Sequence, residues 1–162
     1  MQGIDKWDIR YLKLSQEVAQ WSKDPSTKVG CVIIDDYGRP VSFGYNGFAK
    51  GVDDSQERLL DRDTKLRYTL HAENNAILSA SKQLDGCTVY VTSPPCVHCL
   101  SQMKQCRIKR IVSLAPTKDF LTRWDLSETE GFAKELGIEL VVVSRQLSAL
   151  EGLLYPLDNE IS

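Results

Sequence analysis

Four residues concentrate the chemistry of this chain: His71, Glu73, Cys96 and Cys99, set in His71-Ala72-Glu73 and Pro95-Cys96-Val97-His98-Cys99. One imidazole and two thiolates are three ligands for a zinc ion, and three protein ligands leave a tetrahedral ion one open position. Cys96 and Cys99 stand at i and i+3 where a helix is expected to begin, so both sulfurs reach one metal. The helix N-terminus there favours the thiolate form. Two thiolates also balance the charge of the ion. Glu73 serves better beside a bound water than as a fourth ligand, which would close the site. A structural four-ligand site would have to draw on Cys31, Cys87, Cys106 or His98. His98 lies between the paired cysteines and points away from a metal they share. Cys31 and Cys87 read as packed thiols, since free cysteine is commonly buried.

A histidine, a carboxylate two residues on, and Pro-Cys-x-x-Cys further along form the signature of zinc-dependent nucleobase deaminases. Hydrolytic deamination takes one proton off water and puts protons onto a ring nitrogen and a departing amine. A single carboxylate that reaches both water and base can move all of them.

The rest of the composition narrows the setting. A length of 162 residues fits one domain, with a core over about 5–145 and a C-terminal helix and tail over 146–162. The net charge of −2 argues against a nucleic-acid partner, which usually leaves a basic footprint. No apolar run reaches the length of a membrane span, and the amphipathic N-terminal stretch has no secretory apolar core. Five cysteines, an odd number with two spaced for a metal, suit zinc and buried thiols better than disulfides. A cytoplasmic location is expected.

The elements that must hold the site follow from periodicity and turn residues. Residues 5–23 predict a helix, capped by Asp5 and ended by Asp24-Pro25, with Ile9, Leu12, Val18 and Trp21 near one face. Residues 28–35 and 40–45 predict a hairpin. Asn46-Gly47 predicts a shaped loop, with no strand after it. The charge-rich stretch from Phe48 to Leu70 predicts a solvated surface carrying a short helix at 56–61 and a second helical piece. Helices are expected at 71–81, 96–106 and 127–136, the last stopped by Gly137. Strands are expected at 86–92, 110–114 and 138–143. Helices between the later strands require parallel crossovers. The expected fold is therefore α/β, a three-layer α-β-α sandwich around a mixed five-stranded sheet.

Four blocks resemble the cytidine/deoxycytidylate deaminase superfamily, and within it the deoxycytidylate branch. They are Asp24-Pro25-Ser26-Thr27-Lys28-Val29-Gly30, Gly44-Tyr45-Asn46-Gly47-Phe48, Leu70 to Ile77, and Thr92 to Cys99. The resemblance covers roughly residues 5–145. It implies conversion of dCMP and water to dUMP and ammonia, which feeds thymidylate synthesis. It implies one catalytic zinc held by His71, Cys96 and Cys99, with Glu73 as the catalytic acid and base. It implies that Asn46 holds the deoxyribose and that the chain near Ala72, Ser93 and Pro94 meets the pyrimidine. It also implies a homo-oligomer, with a hexamer favoured, and control by dCTP and dTTP near Gly44, Tyr45 and Gly47. A second, structural zinc is not expected, because His71 and His98 are the only histidines.

Two sets of residues can hold a 5′-phosphate, which needs cationic or donor-rich partners. One is Ser26, Thr27 and Lys28 at a loop-to-strand entry; the other is Arg123 in the loop after the fourth strand. Lys50, Arg58 and Arg62 can receive an effector triphosphate with Mg2+, or simply pair with their acidic neighbours. Three rivals share the motif: deamination of a base in nucleic acid, deamination of another small molecule such as cytidine or guanine, and a silent zinc-stabilised scaffold. Retention of Glu73 beside three ligands weighs against the last.

Overall fold

The computed structural model describes residues 3–146, so the C-terminal helix and tail expected beyond 146 lie outside the described residues. Helix α1 (Lys6–Ala19) opens on a capping box: Asp5 accepts from the Trp7 and Asp8 N–H groups, and Asp8 accepts from Asp5. It ends before the expected residue 23. The N–H groups of Gln20, Trp21 and Ser22 bond back three residues, which tightens the last turn. Trp21 therefore faces outward, edge-on to Phe43 and Tyr45 at 5.4 and 6.2 Å.

Strands β1 (Gly30–Ile34) and β2 (Pro40–Tyr45) form the expected hairpin, turning at Gly38 with φ 75°. Asn46-Gly47 departs from the expected loop with no strand after it. The two-residue strand β3 (Gly47–Phe48) pairs antiparallel with β4 (Thr69–Leu70), closing the base of an insert that holds α2 (Gln56–Leu60) and α3 (Arg62–Tyr68). A two-residue ladder is too short to leave an alternation in the sequence.

Helix α4 (Ala72–Ser79), strand β5 (Thr88–Val91), helix α5 (Val97–Gln105) and strand β6 (Arg110–Leu114) follow. Next comes α6 (Lys118–Arg123), capped by Thr117. This is a second departure, because the sequence reading leaves Arg123 in a loop. Six residues give no helical period to count. Helix α7 (Thr129–Leu136) then ends at Gly137 with φ 71°, and β7 (Glu139–Val143) closes the sheet.

The sheet order is β2-β1-β5-β6-β7. β1 runs antiparallel to both neighbours, while β5, β6 and β7 are parallel. Side chains alternate across it: Cys31, Ile33, Val89, Val91 and Ile111 join one buried cluster with residues of α4, α5 and α7. Val32, Ile34, Tyr90, Val112 and Leu114 join a second with Leu12 and Val18 of α1. Each fully buried aliphatic side chain contributes about 1.5–3 kcal/mol. The expected three-layer mixed sheet is thus present.

Two glycines set how closely helices seat. A Cβ at Gly30 would lie 2.0 Å from the Ser15 carbonyl oxygen of α1. A Cβ at Gly44 would lie 2.4 Å from both Ala72 O and Ala76 N of α4. Any side chain at Gly44 would lift the helix that begins beside His71 and carries Glu73.

Candidate active site

The metal-type residues come together where two helices begin. His71 occupies the N-cap of α4 and Cys96 the N-cap of α5, where its sulfur accepts from the Cys99 N–H at 3.5 Å. Both helix starts turn their positive ends toward the thiolates. His71 Nδ1 lies 3.7 Å from Cys96 Sγ and 3.4 Å from Cys99 Sγ. Tetrahedral zinc, with metal–nitrogen near 2.0 Å and metal–sulfur near 2.3 Å, needs nitrogen–sulfur separations of roughly 3.5 Å. The donor set fits the ion. Cys31 and Cys87 are buried in the core as expected, and His98 is exposed beside Gln102.

The charge state of the cluster is set by shared protons. Hydrogen bonding from the Cys99 thiol, then from His71, outweighs burial and brings Cys96 down to about 3. The same bond, together with burial, pushes Cys99 up. The bond to Cys96 holds His71 above its ordinary value. Glu73, in the first turn of α4, is 5% exposed, and burial pushes its carboxyl up. Its Oε2 lies 3.8 Å from Cys99 Sγ. Among the described residues no lysine or arginine pairs with it.

His71, Glu73 and Cys96 form the floor of a cavity of about 210 Å³, with Cys99 buried behind them. Its rim is the loop from Asp24 to Val29. Asp24 Oδ1 accepts from the Ser26 and Thr27 N–H groups at 2.8 and 3.0 Å, and from Lys65 Nζ at 3.1 Å. Arg123 donates to Thr27 Oγ1 at 3.1 Å and to Ser26 O at 3.2 Å. The two alternative phosphate sets are therefore one place in the fold. Lys28 is the exception; it is exposed and does not line the cavity. Asn46 lines the wall, with its Oδ1 accepting from Val29 N and its Nδ2 donating to Thr27 O, each at 2.8 Å.

Ala72 and Ser93 also line the cavity, whereas Pro94 lines a neighbouring hollow. The expected effector residues divide. Gly44, Tyr45, Gly47 and Lys50 line a groove outside β3. Arg58 pairs with Asp53 at 3.8 Å, and Arg62 lines the central cavity instead.

Several lining residues were invisible to the sequence reading. Lys65 is one charge in a mixed run, yet its head sits on the rim. Helices α2 and α3 bury no residue of their own, but Leu59, Lys65 and Leu66 wall the cavity. The charged insert is a wall as well as a solvated surface. Trp124 stands edge-on to His71 at 6.1 Å, and its indole N–H is the one buried side-chain polar group without a partner among the described residues. An orphaned donor beside a reactive cavity marks a place where a ligand acceptor can satisfy it.

A family model described as the cytidine and deoxycytidylate deaminase zinc-binding region matches residues 5–115. An uncharacterized deaminase of Aliivibrio fischeri is 40% identical over 139 residues, which is 85% of this chain and 93% of that protein. A probable deoxycytidylate deaminase of Caenorhabditis elegans is 43% identical over 65% of this chain and 55% of its own length. The human deoxycytidylate deaminase is 34% identical over 68% and 65%. The chain thus spans less than two thirds of those last two relatives. The crystal structure of a dCMP deaminase from the cyanophage S-TIM5, in complex with dCMP and dUMP, shares the fold with a TM-score of 0.67 at 21% identity, covering 83% of this chain and 94% of that one. No helix of the described residues is long and apolar enough to cross a membrane.

Proposed function

The chain belongs to the cytidine and deoxycytidylate deaminase family, and on that premise we propose that it hydrolyses dCMP to dUMP and ammonia, supplying dUMP for thymidylate synthesis. The observation that carries the reading is Glu73: a buried carboxylate that lines a cavity with a donor-rich rim, beside the His71, Cys96 and Cys99 donor set, and that no lysine or arginine among the described residues pairs with. His71, Cys96 and Cys99 would hold zinc. When bound, that ion supplies the Lewis acidity that makes water a usable nucleophile near neutral pH.

This chain's residues do the rest. Glu73 takes one proton from the water and gives it to ring N3, then takes the second proton from the oxygen now on C4 and gives it to the exocyclic nitrogen. The bond from C4 to oxygen forms, the bond from C4 to nitrogen breaks, and ammonia leaves. Ser93 and Ala72 border the base, and Trp124 flanks it beside His71. Asn46 orients the deoxyribose. Ser26, Thr27 and Arg123 receive the 5′-phosphate, with Lys65 and Arg62 adding positive charge at the same rim. The net charge of −2 supports a free nucleotide over a polynucleotide.

The working unit is one deaminase domain over 1–162, acting in the cytosol as a homo-oligomer, with a hexamer favoured. Trp21, Phe43 and Tyr45, exposed along the edge strand β2, support self-association. Control by dCTP and dTTP with Mg2+ is the finer part of the reading. Its support is the groove lined by Gly44, Tyr45, Gly47 and Lys50.

One assay tests the whole reading: ammonia release from dCMP, deoxycytidine, CMP and a cytosine oligonucleotide, with and without dCTP or dTTP. Turnover of dCMP well above deoxycytidine is expected, along with one zinc per chain. Preference for the unphosphorylated nucleoside or the oligonucleotide would overturn it, and indifference to both triphosphates would remove the regulatory part.

A further inference from the structure

Arg145 lies just past β7, away from the zinc-type residues in sequence. Its Nε donates to Ala115 O at 2.5 Å, and its Nη2 donates to Thr92 O at 2.5 Å and reaches Ser93 Oγ at 3.4 Å. These acceptors sit just beyond the carboxyl ends of β6 and β5. The β5–β6 ladder ends at Val91 opposite Ser113. Past that pair, one guanidinium takes a carbonyl from each strand, so a side chain continues the bonding between strands. In open α/β sheets the ligand crevice lies at such carboxyl ends.

The segment Thr92–Pro95 is irregular backbone, and its polar groups need partners from elsewhere. Gly30 exchanges hydrogen bonds with Thr92 from the β1 side, each at 3.1 Å. Thr129 Oγ1 donates to Pro95 O at 3.0 Å from the α7 side. Arg145 supplies the third hold and is the one that reaches the Ser93 side chain. Burial lowers its pKa, and no carboxylate among the described residues opposes the shift. Charge neutralisation therefore does not explain the placement. A planar fork that spans two carbonyls does.

We propose that Arg145 is a positioning residue, which holds Ser93 and its backbone against the cavity wall in the geometry that receives the pyrimidine. This rests on the reading that a cytosine nucleotide occupies the cavity. Lysine keeps the charge but not the fork, so it cannot serve both strands at once.

The test uses full-length protein with Arg145→Ala, Arg145→Gln and Arg145→Lys. Each variant is expected to raise the KM for dCMP roughly tenfold while the inhibition constant of deoxyribose 5-phosphate, which lacks the base, stays within about twofold. Zinc content should hold at one per chain. Amide exchange should quicken in peptides covering Thr92 to Cys99 and stay unchanged in β1 and α4. Parallel shifts in both constants, or faster exchange throughout the chain, would mean general loosening and overturn the assignment. So would an Arg145→Lys protein equal to wild type, or unchanged exchange in the segment. If wild-type protein does not turn over dCMP, the proposed function falls by itself, and the exchange measurement still decides the role of Arg145. If the alanine variant does not fold, the glutamine and lysine variants carry the same readouts.

Discussion

Two buried carboxylates, Asp8 and Glu73, lie in different polar clusters and are finished in opposite ways. Asp8 meets Arg110, which opens β6. Arg110 donates to both its oxygens at 2.8 and 3.1 Å, and Tyr90 and the Asp5 N–H add two more bonds at 2.8 and 3.1 Å. Burial pushes the Asp8 carboxyl up, yet those donors outweigh it and hold the group below its ordinary value. Glu73 is as deeply buried, but its side chain meets the Cys99 thiol at 3.8 Å, and no lysine or arginine among the described residues forks onto it. Its carboxyl is held above the ordinary value. Burial alone therefore does not decide what a carboxylate does. Closed pairing makes a strut, and open pairing leaves a proton free to move.

The sharpest way to break this contrast is Glu73→Gln. Turnover should fall by roughly 10²–10⁴, while zinc measured by metal analysis stays bound. A variant that lost its metal would make Glu73 a ligand, and the contrast with Asp8 would dissolve.

Arg110→Met should act in the other currency, stability. Removing one partner of a buried ion pair costs about 3–5 kcal/mol, read from urea unfolding. Zinc content and turnover at 25 °C should remain near wild type wherever the protein is folded. A large loss of activity without loss of stability would tie the Asp8 cluster to the site after all.

The smallest effect sharpens the comparison by pH. Because the folded pKa of Asp8 is depressed, its stabilisation is full above the unfolded value of about 3.9 and is lost as pH falls through the folded value. The urea midpoint should therefore drop on acidification below about pH 4, and Asp8→Asn should remove part of that slope. An unchanged slope would show that Asp8 is not held as described.

The legible and illegible parts of the protein divide along contact range. His71 with Glu73, and Cys96 with Cys99, are separated by two and three residues, so local helix geometry places each pair. The apolar run of β1, the turn at Gly38 and the stop at Gly137 are local in the same sense. Arg123 instead reaches Ser26 across 97 positions and Arg145 reaches Thr92 across 53. Lys65 reaches Asp24 across 41. No period or spacing announces such contacts. The short elements β3, β4 and α6 leave no signal for a related reason: two residues complete a single strand repeat and six make fewer than two helical turns, so no pattern recurs.

Residue types and short spacings by themselves determined the donor set and its carrier: His71, Cys96 and Cys99 as zinc-type ligands, Glu73 two residues from the histidine, and a mixed sheet to carry them. Tertiary structure alone decided the shape around that chemistry. Closure of the sheet brought the Ser26–Thr27 loop to Arg123, turned Lys28 away, and made a wall of the charged insert. The reason is physical. Local geometry follows from backbone dihedrals a few residues apart, whereas a cavity is enclosed by surfaces that meet only when distant segments pack.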